Sequence, residues 1–481
     1  MSELDRRTVL RSAAAAAGAV LGGPFLGFIN RAAAASPENP GETEFRALRP
    51  VPDLRDGVVR LLLPAGFQYR SFHDTTQPIT LDDGTLLPGR HDGMAAFPGP
   101  GGNVLLVRNH EVNGPGAAFG PGTPYDSAAQ GGTTTVEVTP FGQVVHAHTS
   151  LNGTQMNCSG GRMPWGSWIT CEETVNGPDV GPDFTGVPNT ALTRPHGFIF
   201  EVPADGQSDR QPVTAAGRFA HESVAFDPHG GALYLTEDDF AFPSGFYRYL
   251  PDANPIQTGR LGNSGRLQML AVTGEPNAHL EASQPLRGTY QVEWVDIDDP
   301  APTFSVANPT PNNEALRYVA RQGWVQGAAY FSRLEGAVYD AGVVYFTSTQ
   351  GGGPAETSLE ETVTGFGNGS GQIWAYHTRS SILQLLYESP GRDVLDFPDN
   401  VTTSPRGTIV LCEDNTDFNY LRGLSRGGQL FDIARNEIAG RTGDEFAGST
   451  FSPDGHTLFV NIQASRGMSF AIWGPWERIG V

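Results

Sequence analysis

The feature that most constrains the fold of this chain is a hairpin pattern that recurs along it. Each copy has a short apolar strand, a tight turn containing Gly or Pro, a second apolar strand, and polar residues at the open ends. The six copies read HDGMAAF…NVLLVRNHE, CSGGRMPWGSWITCEE, HESVAFDPHGGALYLTEDD, EGAVYDAGVVYFTST, DNVTTSPRGTIVLCEDN and AGSTFSPDGHTLFVNIQ. Such repetition is typical of folds that place one similar sheet after another around an axis.

The spacing of the hairpins predicts a β-propeller. Three steps between hairpins measure 64, 65 and 66 residues, and the step from Glu222 to Glu335 measures 113. Further strand patterns, such as GFIFEV, GFYRYL, GQIWAY and GQLFDI, follow most hairpins and complete four-stranded units. We therefore predict an all-β fold, a six-bladed β-propeller with short helical or irregular insertions. The long step predicts one long insertion around residues 251–325.

The chain is predicted to divide into three parts. Residues 1–35 have twin arginines before a short apolar run that ends in small residues, which is typical of a twin-arginine signal peptide. Residues 36–57 are rich in Pro and charged side chains and are predicted to form an exposed linker or arm. Residues 58–481 are predicted to be a single propeller, in which segment 58–72 supplies the outer strand that the last repeat lacks.

The signal peptide implies a location and a partner. We expect the twin-arginine export machinery to carry the folded protein to the periplasm or the extracellular space. The apolar run is short and rich in Gly, so we expect it to be cleaved and to leave no stable membrane span.

Charge restricts the ligands that the chain can bind. The formal net charge is −21, and all 31 basic side chains are arginine. A chain this acidic is not expected to bind nucleic acid or an anionic membrane surface. It is suited to holding several cations.

The open ends of the hairpins are expected to meet at one mouth of the propeller, because the inner strands of all blades surround one channel. Glu222 and Glu237 lie equally far from their turn and are expected to be side by side. The residues predicted to converge are Asp92, Asn109, Glu111, Cys158, Glu172, Glu173, Glu222, Glu237, Asp238, Glu335, Asp399, Asn400, Glu413 and Asp414. Carboxylates this close repel one another unless protons or cations lie between them. Oxygen ligands of this kind suit calcium, and a thiolate among them also suits a transition metal.

Cys158 has two interpretations. It could form a disulfide with Cys171, because export permits oxidation and three cysteines leave one unpaired. Its position at a hairpin end, in register with other polar ends, favours a metal ligand instead. Cys171 and Cys412 each precede an acid at equivalent positions of their repeats, and we interpret both as packing residues.

Several longer motifs of the chain resemble those of the PhoX-type alkaline phosphatases. They are RNHE, NCSGG…PWGSWITCEE, HESVAFDP, SRLEGAVY, FPDNV…PRG…LCED and EFAGSTFSPDG…LFVNIQ, and they extend from residue 90 to residue 465. Members of that family are exported bacterial enzymes whose propeller holds calcium and iron at one end. The resemblance implies that Cys158, Glu222 and Glu335 hold iron (Fe³⁺). It also implies that Arg333 contacts the substrate phosphate.

The resemblance further implies calcium ligands among Glu111, Glu173, Asp238 and Glu413. Asn400, at the open end of the fifth hairpin, is one more candidate metal ligand.

The predicted function is the metal-dependent hydrolysis of phosphate monoesters, which would release phosphate from small-molecule esters outside the cytoplasm. The metals would activate the oxygen nucleophile, and Arg333 would bind phosphoryl oxygens, with Glu335 as the second catalytic residue. Two alternatives stay open, namely a calcium-dependent lactonase or esterase and a non-catalytic propeller braced by metals. A lactonase site needs fewer acids and no thiolate, so Cys158 disfavours that alternative.

Overall fold

The computed structural model describes residues 45–359 and 365–481. The predicted signal peptide, residues 1–35, and the first part of the predicted arm lie outside the described residues. Among the helices in the described ranges, none is both long and apolar enough to cross a membrane.

The described residues form mainly short strands. The first seven are β1 (Arg49–Pro52), β2 (Val59–Leu63), β3 (Gln68–Phe72), β4 (His91–Pro98), β5 (Val104–His110), β6 (Gly131–Val138) and β7 (Val144–Thr154). The next seven are β8 (Asn157–Arg162), β9 (Ser167–Glu172), β10 (Ile199–Pro203), β11 (His221–Asp227), β12 (Ala232–Glu237), β13 (Phe246–Pro251) and β14 (Gly265–Val272). Then follow β15 (Thr289–Asp296), β16 (Leu334–Asp340), β17 (Val343–Ser348), β18 (Gln372–His377), β19 (Ile382–Glu388) and β20 (Pro398–Thr403). The last six are β21 (Ile409–Glu413), β22 (Tyr420–Leu424), β23 (Leu430–Asn436), β24 (Glu445–Phe451), β25 (Thr457–Gln463) and β26 (Met468–Trp473).

Helices are short and few among these strands. The α-helices are α1 (Pro255–Thr258), α2 (Asn312–Leu316) and α3 (Tyr318–Trp324), and 3₁₀ turns cover Pro100–Gly102, Asn189–Ala191, Thr214–Ala216 and Trp476–Arg478. These three α-helices lie within residues 251–325, the stretch for which the sequence predicted an insertion.

The sheets surround one axis in a propeller-like arrangement. Two sheets have four strands, in the orders β4-β5-β6-β7 and β24-β25-β26-β3, and a third has three, in the order β10-β9-β8. A six-stranded sheet has the order β1-β2-β23-β22-β21-β20, and a nine-stranded sheet has the order β11-β12-β13-β14-β15-β19-β18-β17-β16. Strands β4, β8, β11, β16, β20 and β24 contact one another in succession and close a ring around the axis. The predicted all-β, propeller-like architecture is therefore confirmed.

The prediction of six separate four-stranded blades is wrong, because the described residues form five sheets. Strand β15 pairs with β14 on one side and with β19 on the other, so two of the predicted blades belong to one nine-stranded sheet. Strand β15 lies within residues 251–325, for which an insertion was predicted. The long step in the repeat spacing thus contains strands that join two hairpin units.

The N-terminal strands tie the two ends of the described chain together. Strand β3 pairs with β26, as predicted for segment 58–72. Strand β2 pairs with β23, and β1 then pairs with β2. Part of the predicted exposed arm is therefore an edge strand, β1, with mostly exposed side chains.

The space between the sheets is filled by apolar side chains. Cys171 packs with Ile169 and Phe219 in one core cluster, and Cys412 packs with Val410 and Leu421 in another. Both thiols are free, as is Cys158. Cys158 and Cys171 therefore do not form the disulfide that was the alternative interpretation. The interpretation of Cys171 and Cys412 as packing residues is confirmed.

A buried ion pair fastens residues 302–310 to the rest of the fold. The guanidinium of Arg218 donates to both carboxylate oxygens of Asp179, at 2.7 and 2.9 Å, and Arg218 is almost fully buried. The backbone N–H of Phe304 donates to Asp179 Oδ2 at 3.0 Å, and Thr310 N donates to the Asp179 carbonyl at 3.0 Å. These contacts fix the segment that leads into α2.

Candidate metal centre

Each inner strand carries an irregularity at the same place. The register between the two strands of every hairpin shifts within a three-residue step near the open end of the inner strand. The residues that lie first within these steps are Asp92, Cys158, Glu222, Glu335, Asp399 and Gly448. A β-bulge of this kind changes the direction of a side chain and is frequent beside active sites.

Crowding between neighbouring inner strands explains glycine at the second position of two bulges. A Cβ on Gly336 would lie 2.6 Å from the backbone N of Val401, and a Cβ on Gly93 would lie 2.5 Å from Cα of Ser159. No side chain fits at such distances, so glycine lets the inner strands approach each other closely. That approach brings the bulge residues of adjacent strands together.

The bulge residues form two overlapping groups of potential ligands. One ligand atom each from Cys158, Glu173 and Glu222 lie within 4.8 Å of one another, and the same holds for Glu222, Glu335 and Asp399. All five residues are buried. Glu222 belongs to both groups, so the two groups are linked through one carboxylate.

These buried acidic groups lie so close together that their ionised forms are unfavourable without a neutralising positive charge. Burial, followed by the carboxylates of Asp399, Glu173 and Asp92, raises the pKa of Glu222 well above its usual range. Burial and then Glu222 raise the pKa of the Cys158 thiol in the same way. Either protons or cations must neutralise such a group.

Unsatisfied oxygens favour cations over a purely structural role. Among the described residues, no N–H or O–H group donates to either side-chain oxygen of Glu222 or to Oε2 of Glu335. Buried carboxylate oxygens are rarely left without a partner, since this costs about 1–3 kcal/mol or more for each group. The residues present therefore fit bound metal ions.

Arg333 lies beside the second group. Its Nε and Nη2 donate to the two oxygens of Asp238, at 3.1 and 2.9 Å, and Nη2 also donates to Glu335 Oε1 at 2.6 Å. Burial opposes its charge, but Asp238 and Glu335 outweigh that effect and raise the pKa of Arg333. Arg333 has a φ of 44°, in the left-handed region, which costs about 1–3 kcal/mol and is common at functional sites.

The other predicted acidic ligands each have a different hydrogen-bond or ion-pair partner. Glu111 accepts a hydrogen bond from Gln463 Nε2 at 2.7 Å, and the same nitrogen donates to Asp92, so Glu111 lies next to the first bulge. Asp238 is paired with Arg333. Glu413 Oε1 pairs with Nε of Arg422 at 3.0 Å. Arg422 also pairs with Asp432, so Glu413 belongs to an ion network with these two residues.

Asn400, predicted as a ligand, has its side chain engaged by its neighbours. Its Nδ2 donates to Asp399 Oδ1 at 2.6 Å, and its Oδ1 accepts from the backbone N–H of Gly448 at 2.5 Å. The preceding residue, Asp399, is the one that the bulge brings to Glu222 and Glu335. Asp399 was predicted among the hairpin-end residues that converge, but not as a ligand.

Two acids at the ends of second strands are structural, and one predicted pairing is wrong. The bulge places Glu237 opposite His221, not opposite Glu222. Glu237 Oε2 accepts from Gly245 N at 2.8 Å and from Tyr247 Oη at 2.9 Å. Its equivalent in the second hairpin, Glu172, accepts hydrogen bonds from backbone and side-chain donors around it.

His196 is one of the donors to Glu172 and carries a pH-dependent part of the stability. Its Nδ1 lies 2.6 Å from Glu172 Oε1, and Nε2 lies 3.7 Å from Asp126 Oδ2. Burial opposes the imidazolium, but the two carboxylates outweigh it and raise the pKa of His196 from 6.5 to about 9. The stabilisation is then complete below pH 6.5 and is lost as the pH rises through 9.

We expect the free energy of unfolding to fall by about 3 kcal/mol between pH 6.5 and 9.5 through this group. Urea unfolding of the parent and of His196→Gln across that range would measure the effect, because the variant lacks the titrating ring. The difference between the two curves isolates His196 from other groups. Parallel curves would contradict the assignment.

Comparisons with known proteins identify the family of the chain. A family model described as alkaline phosphatase PhoX matches residues 43–147 and 140–465. The solved structure of Pseudomonas fluorescens PhoX in complex with vanadate, a transition state analogue, aligns with a TM-score of 0.64 and 17% identity, over 89% of this chain and 97% of that one. A gluconolactonase from Xanthomonas campestris aligns with a TM-score of 0.42 and 12% identity, over 88% and 97%. No curated protein matches the sequence.

Proposed function

Because the chain belongs to the PhoX alkaline phosphatase family, we propose that it is an exported, metal-dependent phosphatase that hydrolyses phosphate monoesters of small molecules. The observation that carries the proposal is the pair of buried ligand groups that share Glu222, with Arg333 hydrogen-bonded to the edge of one of them. Clustered cations next to an arginine provide what phosphoryl transfer requires, which is charge neutralisation and positioning.

The ligand types divide between the two proposed metals. The group of Cys158, Glu173 and Glu222 contains a sulfur that would bind as a thiolate, which suits iron, and we propose Fe³⁺. Calcium prefers carboxylate oxygens, so we propose that it binds Asp399 and the surrounding acids, with Glu111 and Asp238 as candidates. Glu413, which pairs with Arg422, is not among the proposed ligands. When bound, the cations would neutralise phosphoryl charge and lower the pKa of the attacking oxygen.

Arg333 would bind the phosphate with the part of its guanidinium that the protein leaves open. Nε and Nη2 are held by Asp238 and Glu335, whereas Nη1 makes no hydrogen bond to any described residue. Asp238 thus fixes the plane of the guanidinium, and Nη1 can donate to a phosphoryl oxygen without reorganising the side chain. Glu335, which accepts a hydrogen bond from Nη2, would hold Arg333 beside the proposed metal ligands.

Steady-state hydrolysis of p-nitrophenyl phosphate, together with metal analysis, tests the proposal. We expect turnover that is lost on chelation and restored by calcium and iron. Cys158→Ser should lose iron while retaining its fold, because a hydroxyl is a much weaker ligand than a thiolate. Hydrolysis of gluconolactone without hydrolysis of the phosphate ester would favour the lactonase alternative, and neither activity at full metal content would favour a braced, non-catalytic propeller.

We also propose export by the twin-arginine machinery to the periplasm or the extracellular space, which the residues of segment 1–35 support. Changing Arg6 and Arg7 to lysine should retain the protein in the cytoplasm, because twin-arginine signals are recognised through that pair. Cell fractionation with an antibody against the mature chain measures this. Unchanged export of the double variant would overturn the proposal.

A further inference from the structure

A cleft lies beside the candidate metal centre, where the organic part of a bound phosphate ester would be placed. It has a volume of about 360 Å³ and is lined by Glu173, which also belongs to the first ligand group. It is also lined by Asp239, the residue after Asp238, which holds Arg333. An ester with its phosphoryl group at Arg333 would therefore have the alcohol portion next to this cleft.

The cleft presents aromatic and apolar side chains. Phe184 and Phe240 both line it, together with Met156, Pro182, Pro311 and Leu316. Phe184 is 39% exposed and Phe240 is half-buried, so part of each aromatic ring is accessible to a ligand. Exposed aromatic surface in a concave site is typical of a pocket for an apolar ligand group.

Each phenylalanine is held in place by the aspartate before it. Asp183 Oδ1 accepts from the backbone N–H of Thr185 at 2.9 Å, and Oδ2 accepts from Asn176 Nδ2 at 3.1 Å. Asp239 Oδ1 accepts from the backbone N–H groups of Ala241 and Phe242, at 2.9 and 3.1 Å. Both loops are thus fixed before a ligand binds, which lowers the entropic cost of binding.

The fixed charge of the cleft is entirely negative. Besides the proposed metal ligand Glu173, Asp183 and Asp239 line it, and the described residues that line it include no arginine or histidine. A second phosphate on the alcohol portion would lie among these acids without a cationic side chain to pair with. Uncharged groups avoid this repulsion.

We propose that this cleft binds the alcohol portion of the ester, and that Phe184 and Phe240 select aromatic, uncharged groups over short alkyl or polyanionic ones. The inference rests on the proposed phosphatase function and defines its substrate class. Burial of an apolar group in a hydrophobic pocket changes kcat/KM by about tenfold or more.

Three esters with comparable primary-alcohol leaving groups separate this selectivity from intrinsic reactivity. They are 3-phenylpropyl phosphate, propyl phosphate and the bisphosphate of propane-1,3-diol. For the metal-loaded parent we expect kcat/KM to be about tenfold higher for the phenylpropyl ester than for the propyl ester, and lowest for the bisphosphate. The ratio of phenylpropyl to propyl should fall towards one in Phe184→Ala and Phe240→Ala.

Phe141→Ala is the matched control. Phe141 is 49% exposed and packs on Trp473 and His456, beside the turn between β24 and β25. We expect this variant to keep the parent ratio. Asp239→Asn keeps an acceptor oxygen for Ala241 and Phe242 while removing a charge, so it should raise kcat/KM for the bisphosphate relative to the propyl ester.

The outcomes separate this inference from the proposed function. Equal kcat/KM for the phenylpropyl and propyl esters in the parent, or a ratio that both Phe variants leave unchanged, would overturn the inference and leave the phosphatase function standing. No turnover of any of the three esters by the metal-loaded protein would overturn the proposed function, and the inference with it.

Discussion

Glu335→Gln should lower kcat/KM for p-nitrophenyl phosphate by about a hundredfold to a thousandfold, the range seen when one preorganised charge-stabilising group is removed. Glu335 lies in the second ligand group, its Oε2 has no donor among the described residues, and its Oε1 accepts from Arg333 at 2.6 Å. The amide removes one negative charge and presents an NH₂ group that repels a cation. Steady-state kinetics and metal content, measured on the same preparation, give the two readouts.

Glu237→Gln is the control for Glu335→Gln. It changes an acid that is equally buried and also ends a hairpin strand, but whose Oε2 is satisfied by Gly245 and Tyr247. Because glutamine can still accept both hydrogen bonds, we expect parent-like kinetics and metal content. Parent-like activity of Glu335→Gln at unchanged metal content would remove Glu335 from the proposed centre.

The contrast between Glu222 and Glu237 shows what the sequence could and could not predict. Both follow or precede apolar strands in the same repeat, so the pattern placed both at one mouth. The structure separates them through the bulge, which aligns Glu237 with His221 and turns Glu222 towards Glu335 and Asp399. A one-residue irregularity leaves almost no signal in hydrophobic alternation, because the strands on either side keep their period of two.

The same irregularity explains why the fifth hairpin was predicted one residue out of register. Counting from the turn favours Asn400, and the bulge favours Asp399. A signal was present in HDG and LEG, where an acid is followed by a glycine that the crowded axis requires. In the four inner strands that carry an acid at the bulge, an acid followed by a small or polar residue marks the position better than the distance from the turn.

The number of sheets was not predictable from the repeat alone. The hairpin units are fixed by local turn chemistry and apolar alternation, which the sequence displays directly. Whether outer strands of two units also hydrogen-bond to each other depends on residues far apart in the chain, such as Tyr290 of β15 and Leu383 of β19. The sequence pattern of β15, which is largely exposed and mixed in polarity, does not distinguish a strand from a loop.

Arg333→Lys should lower kcat/KM by about a hundredfold or more and weaken inhibition by inorganic phosphate. Lysine keeps the charge but has a single nitrogen, so it cannot hold both oxygens of Asp238, contact Glu335 and still present a separate donor to the phosphate. The arginine does all of this through Nε, Nη2 and Nη1. Kinetics with p-nitrophenyl phosphate and the inhibition constant of phosphate are the measurements.

Arg422→Lys is the matched control, because Arg422 is also a largely buried arginine that bridges two carboxylates, Glu413 and Asp432. If a bridged arginine mattered only for packing, both variants would lose stability and activity to the same extent. We expect similar losses of stability, since each removes part of a buried ion network. Only Arg333→Lys should change the inhibition constant of phosphate, because only that arginine is hydrogen-bonded to the proposed metal ligand Glu335. Equal phosphate inhibition in Arg333→Lys and the parent would mean that Arg333 positions acids without touching the substrate.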